Sequence, residues 1–119
     1  MSIQLSVLEY NAESDEAVLQ ICEGEITLTA FSCPFVDVPM GKSIMLHTLF
    51  AKNIYRTAIR RAPEKEDDHY FGHHIVAEVA SQKEGIVKLG SIYIQLDCPI
   101  PGDIQNGEFV EFSVDRLDY

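Results

Sequence analysis

The amino-acid sequence predicts an all-β domain of mainly antiparallel strands, arranged as a small barrel that is closed or partly open, with room for one short helix. Short stretches with alternating apolar and polar residues recur along the chain, as in half-buried strands. Turn-forming residues separate these stretches at close intervals, which is typical of small antiparallel barrels and sandwiches. The length of 119 residues suits a single domain over residues 1–119.

The N-terminal third carries the first strands. Residues 3–8 alternate and run towards a turn at residues 11–15, which indicates an opening strand. Two further apolar runs, residues 17–22 and 25–31, flank Gly24. Because no Asn-Gly pair marks a hairpin here, we interpret Gly24 as a bulge in one long bent strand.

Residues 43–61 are open to two interpretations. Their apolar positions fit a helix that Ser43 would cap and Pro63 would follow. Their Ile, Thr, Phe and Tyr content favours two strands, residues 43–50 and 54–59, with a turn at residues 52–53. We favour the two strands.

The second half of the chain continues the pattern. We expect a charged loop at residues 64–68, a strand at 73–81, a turn at 82–85, a run at 86–96 that bends at Gly90, a loop from Cys98 and a final strand region at 109–117.

Three pieces of the chain resemble the OB-fold-like small β-barrel proteins. They are the glycine-interrupted run at residues 16–31, the entry Pro39-Met40-Gly41-Lys42 into the next strand, and the closing unit at residues 101–112. The resemblance implies an OB-like barrel or a partly open barrel. The basic groove and stacking aromatic residues of OB domains that bind nucleic acid are not evident, so the resemblance implies the fold without that activity.

Charge is distributed unevenly along the chain. The formal net charge is −10, and the first 41 residues contain no Lys or Arg. An acidic surface disfavours nucleic acid and suits a basic protein partner, or a second copy of the chain whose basic stretch at residues 52–65 would face the acidic third. The interface candidates are Glu9, Glu13, Glu16, Glu23 and Glu25, together with Phe50, Tyr55 and Arg56 from the aromatic and basic segment.

The sequence contains no nucleophile motif and no glycine-rich phosphate loop, so we expect no enzyme activity and no cofactor. Its three cysteines are odd in number and widely spaced, which favours a reducing, cytoplasmic location over a disulfide framework. The N-terminal residues do not resemble a signal peptide, and no apolar run is long enough for a membrane span.

One polar cluster could carry metal chemistry. His69, His73 and His74 lie close to several carboxylates, and imidazole and carboxylate groups are ligands for divalent metals. Gly72 disfavours the helix that would align His69 with His73, and on a strand His73 and His74 would face opposite sides. We therefore predict a solvated loop without a metal and keep the histidines as weak candidates.

The function that follows is that of a small acidic binding module. Protein binding is the leading expectation, including neutralisation of a basic partner as antitoxin or immunity proteins do. The alternatives are a β-barrel that binds a small ligand or a metal, and an OB-type nucleic-acid binder.

Overall fold

The computed structural model describes residues 3–33, 44–58, 63–65 and 71–119. These residues form eleven strands and no helix, and therefore contain no helix that could cross a membrane. The strands are β1 (Gln4–Asn11), β2 (Glu16–Glu23), β3 (Ile26–Ser32), β4 (Ile44–Leu49), β5 (Lys52–Thr57), β6 (Glu64–Lys65), β7 (His73–Ser81), β8 (Ile86–Leu89), β9 (Ile92–Gln95), β10 (Phe109–Val114) and β11 (Arg116–Asp118).

All the strands belong to one sheet that is not closed. Their order is β1-β2-β3-β11-β4-β9-β8-β7-β10-β5, with β6 attached to β7. Most neighbours are antiparallel, and the parallel pairs are β3 with β11 and β4 with β9. The predicted all-β, mainly antiparallel class is confirmed, and the sheet takes the partly open form.

Two glycines that we interpreted as bends within long strands are hairpin turns. Glu23 pairs with Ile26 across Gly24, and Leu89 pairs with Ile92 across Gly90. Each glycine has a positive φ, 60° at Gly24 and 57° at Gly90, and the residue after it does not. This is the two-residue hairpin with glycine at its first central position, which needs no Asn-Gly pair.

Residues 44–57 form two strands, as we favoured, and the helical alternative is wrong for them. The chain bends at Phe50, which has φ 58°, and not at residues 52–53. The two strands do not pair with each other, since β4 lies between β11 and β9 whereas β5 pairs with β10. The entry turn at residues 39–42 and the cations Arg60 and Arg61 lie outside the described residues.

The core forms where one face of the curved sheet folds over itself. Leu28, Ile75, Ile94, Phe112 and Leu117 are fully buried there. Strand alternation places these side chains inward and sends the polar residues between them outward.

A buried histidine joins two strands that share no ladder. The side chain of His73 on β7 is fully buried, and its Nε2 accepts the backbone N–H of Thr29 on β3 at 3.1 Å. Its Nδ1 lies 2.9 Å from the carbonyl oxygen of Phe71. Because Nε2 accepts a hydrogen bond, the ring is neutral and carries its proton on Nδ1.

The tips of the two glycine hairpins also meet. Glu23 is 7% exposed, and its Oε1 accepts the N–H of Ser91 at 2.8 Å. A Cβ added at Gly90 would lie 1.9 Å from that oxygen, so only glycine leaves room for the carboxylate. The contact holds the β2–β3 hairpin against the β8–β9 hairpin.

Candidate interaction surface

The hairpin formed by the outer ends of β1 and β2, residues 8–18, is the most acidic part of the described surface, and we call it the acidic arm. Glu9 lies on β1, Glu13 in the turn and Glu16 at the start of β2, and all three side chains are exposed. None of the three forms an ion pair with a cation of the described residues.

The arm also exposes apolar side chains along the sheet edge. Val7 and Leu8 are each 46% exposed and Tyr10 is 53% exposed. The pairing of β1 with β2 shifts between Val7 and Glu9, which leaves Leu8 as the extra residue of a bulge. On its other side, β1 pairs with no strand of the described residues, so its outer backbone groups form an edge to which another strand can add.

Side-chain hydrogen bonds order the tip of the arm. The backbone N–H of Glu13 donates to Oδ1 of Asn11 at 3.0 Å. The Tyr10 hydroxyl donates to Oδ1 of Asp15 at 2.9 Å, and this hydrogen bond raises the pKa of Tyr10. These bonds fix the turn and the direction of the Tyr10 ring before any partner arrives.

An aromatic cleft of about 540 Å³ is not found here; the arm instead borders a smaller one of about 350 Å³. Its lining, which we call the aromatic cleft, consists of Glu9, Tyr10, Asn11, Glu16, Ala17, Val18, Phe31 and Phe71. The rings of Phe31 and Phe71 meet edge to face, with centroids 6.2 Å apart. The cleft therefore combines aromatic rings with two carboxylates, those of Glu9 and Glu16.

The opposite edge of the sheet, β5, carries the aromatic and basic candidates. Tyr55 is exposed. Lys52 pairs with Asp115 at 3.1 Å. Arg56 pairs with Glu108 and donates to the carbonyl oxygen of Asp103 at 2.7 Å. These two cations are therefore neutralised by neighbours on their own chain.

Phe50, the remaining aromatic candidate, sits on a bend that Asp97 holds. Phe50 is 62% exposed, and its N–H donates to Oδ2 of Asp97 at 2.8 Å. Oδ1 of Asp97 accepts the Thr48 hydroxyl at 2.7 Å and the Ala51 N–H at 2.9 Å. Burial alone would raise the pKa of Asp97, but these hydrogen bonds outweigh it and lower the pKa. The sequence analysis did not single out Asp97, because its partners lie more than forty residues away.

The same carboxylate affects the neighbouring thiol. Burial, and then the charge of Asp97, raise the pKa of Cys98, as we expected from their adjacency. Its Sγ lies 3.4 Å from the carbonyl oxygen of Ala51. A raised pKa keeps the thiol protonated and poorly nucleophilic.

Glu23 and Glu25 are separated from the acidic arm by the length of β2. A rise of about 3.4 Å per residue puts them roughly 24 Å from Glu16. The buried Glu23 adds no exposed charge, whereas the exposed Glu25 borders a groove of about 540 Å³. Val76, Leu89 and Phe109 are among the residues that line this groove.

The histidine candidates do not converge in the structure. His73 is buried against Thr29, whereas Nε2 of His74 lies 2.7 Å from Oε2 of Glu111 on β10. His69 lies outside the described residues. Within the described part of the chain, no three His, Cys, Asp or Glu side chains are grouped closely enough to hold a metal.

Comparisons with protein-family models, with curated proteins and with solved structures give no match to this chain. The surface chemistry described above is therefore the basis on which a function is proposed.

Proposed function

We propose that this chain is a small acidic protein-binding module that docks a basic protein partner on its acidic arm. The observation that carries the proposal is the coincidence, on one hairpin, of exposed carboxylates, exposed apolar side chains and a strand edge. Each supplies a different part of recognition. The charges steer a basic partner, the apolar groups contribute buried area, and the edge offers backbone hydrogen bonds.

The electrostatics favour a basic partner over a second copy of the chain. A second copy would have to offer positive charge, but Lys52 and Arg56 on β5 are already paired with carboxylates of their own chain. Breaking those pairs would offset much of the gain from new ones. A protein with unneutralised Lys and Arg on an extended segment has no such cost.

Strand addition is the docking mode that the edge supports. A basic segment that pairs with β1 would place alternate side chains near Glu9 and the apolar residues of the arm. If the segment belongs to the functional surface of a toxin or nuclease, docking would also neutralise that protein, in the manner of antitoxin and immunity proteins.

The test is affinity capture from the native host with three baits: wild type, the triple variant E9K/E13K/E16K, and the control E25K/E64K/E84K. The two variants change the net charge equally, but the control leaves the acidic arm intact. We expect wild type and control to capture the same stoichiometric basic protein and the arm variant to lose it. With the purified pair, the association rate should fall as salt rises, and the β1 amides should gain protection from hydrogen exchange.

Equal capture by all three baits, or a partner that leaves the β1 amides unprotected, would contradict this function. Size-exclusion chromatography of the chain alone, at high and low salt, tests the second copy as occupant. A salt-sensitive dimer that the arm variant abolishes would replace the basic partner by self-association.

A small ligand is the second candidate function, and the groove of about 540 Å³ beside Glu25 is the observation that favours it. Its lining is mainly apolar, with Glu78 and Lys88 3.7 Å apart at one side. A thermal-shift screen of metabolites against wild type and V76W, whose indole would fill the groove, checks this idea. A ligand that stabilises both proteins equally would place binding elsewhere.

A further inference from the structure

We infer that the aromatic cleft beside the acidic arm is a binding site for an organic cation, the ammonium or guanidinium group of a lysine or arginine side chain. This inference rests on the proposed function, because it identifies the group of the partner that the arm would receive. It also makes a separate claim about chemistry, which can be tested without the partner.

The lining of the cleft matches that ligand. Tyr10, Phe31 and Phe71 supply aromatic rings, and Glu9 and Glu16 supply carboxylates. An aromatic face attracts a cation through its quadrupole, and carboxylates add attraction and accept hydrogen bonds. No Lys or Arg lines the cleft among the described residues. An anion would meet two like charges there, and a neutral apolar group would leave both carboxylates without a new partner.

The fold already places one cation on the same cluster of rings. The guanidinium carbon of Arg116 lies 4.5 Å from the centroid of Phe31. Arg116 does not neutralise the cleft, because its two nitrogens bind the two oxygens of Asp118 at 2.6 and 3.0 Å. Glu9 and Glu16 consequently keep their negative charge available for an incoming cation.

The geometry of the cleft is set before binding. Ladder pairing fixes the positions, since Val18 lies opposite both Glu9 on β1 and Phe31 on β3. The hydrogen bond from Tyr10 to Asp15 orients the third ring. A site whose side chains are held in place loses little conformational entropy when a ligand enters.

The experiment is an NMR titration of the full chain with three probes: Nα-acetyl-lysine amide, Nα-acetyl-arginine amide and Nα-acetyl-norleucine amide. The norleucine probe keeps the apolar chain of lysine and removes its charge. We expect the ring resonances of Tyr10, Phe31 and Phe71 to shift saturably with a cationic probe, and norleucine to bind at least about tenfold more weakly. The ratio between the lysine and arginine affinities tells which cation the cleft prefers.

Two variants complete the test. E9Q/E16Q preserves shape and removes both charges, and should weaken the cationic probes by roughly tenfold, whereas the control E64Q/E84Q should leave the affinity unchanged. Equal binding of norleucine, shifts spread over the whole surface, or an E9Q/E16Q variant that binds as wild type does would overturn the inference. Any of those results would stand whether or not the arm captures a basic protein, so the failure of the cleft and the failure of the proposed function are distinguishable.

Discussion

Replacing Asp97 by Asn tests how the bend between β4 and β5 is held. Asn keeps one oxygen for Thr48 and Ala51 but turns an NH₂ group towards the Phe50 N–H that Oδ2 now accepts. A lost hydrogen bond to a charged group costs about 1.5–3 kcal/mol, and two bonds that become neutral weaken by up to about 1 kcal/mol each. Asp97 is exposed, so water replaces part of this loss, and roughly 2 kcal/mol of unfolding free energy should disappear.

The assay is urea unfolding followed by circular dichroism, with D103N as a control because the side chain of Asp103 is 77% exposed. We expect a lower midpoint with an unchanged slope for D97N, and almost no change for the control. The lowered pKa of Asp97 means that its stabilisation is complete above the unfolded pKa, about 3.9, and is lost as the pH falls through the folded pKa. The gap between wild type and D97N should therefore close in acid. A gap below about 0.5 kcal/mol at neutral pH, or one that persists at the lowest pH, would refute the reasoning.

Three further substitutions check other parts of the fold. Phe50→Gly should raise the unfolding free energy by about 0.5–1 kcal/mol, because glycine relieves the positive φ at an exposed position, and a lower melting temperature would contradict this. His73→Leu should cost about 2–3 kcal/mol in urea unfolding, since the buried Thr29 N–H loses its acceptor, and a neutral effect would show that water reaches that amide. Gly90→Ala should cost at least about 2 kcal/mol, and Glu23→Ala in the same chain should recover only part of the loss, because the strain of the positive φ remains; full recovery would assign the whole effect to the clash.

The strands were predictable because alternation is a local signal. Residues 73–81 were expected as one strand and are β7, and the two-strand interpretation of residues 43–61 holds where the structure describes them. The hairpins at Gly24 and Gly90 were missed because only Asn-Gly was sought as a turn signal. A glycine followed by any residue can form the same tight turn, so both glycines were visible in the sequence.

The bend at Phe50 had no comparable signal. A bulky aromatic residue rarely adopts a positive φ, and the carboxylate that holds this one follows 47 residues later. The parallel pairs of β3 with β11 and of β4 with β9 are equally hidden, because partner choice across the sheet depends on the whole core and not on local pattern.

For the candidate site, charge was readable and assembly was not. The cation-free N-terminal third correctly placed Glu9, Glu13 and Glu16 on the surface. It did not separate them from Glu23, which strand geometry buries at the far end of β2. Phe31 and Phe71 escaped notice because their contact joins residues forty positions apart.

The place of β11 in the sheet has a consequence for how the chain folds during synthesis. β11 is the only strand that joins the β1–β2–β3 unit to the remaining ladders of the described residues, and the Tyr119 N–H continues the link by donating to the Phe31 carbonyl oxygen at 2.8 Å. The first hairpins can form as soon as they leave the ribosome, but they cannot join the sheet until residues 116–119 have emerged. During that interval the inner face of β3 stays uncovered, which makes the nascent chain a natural client for chaperones.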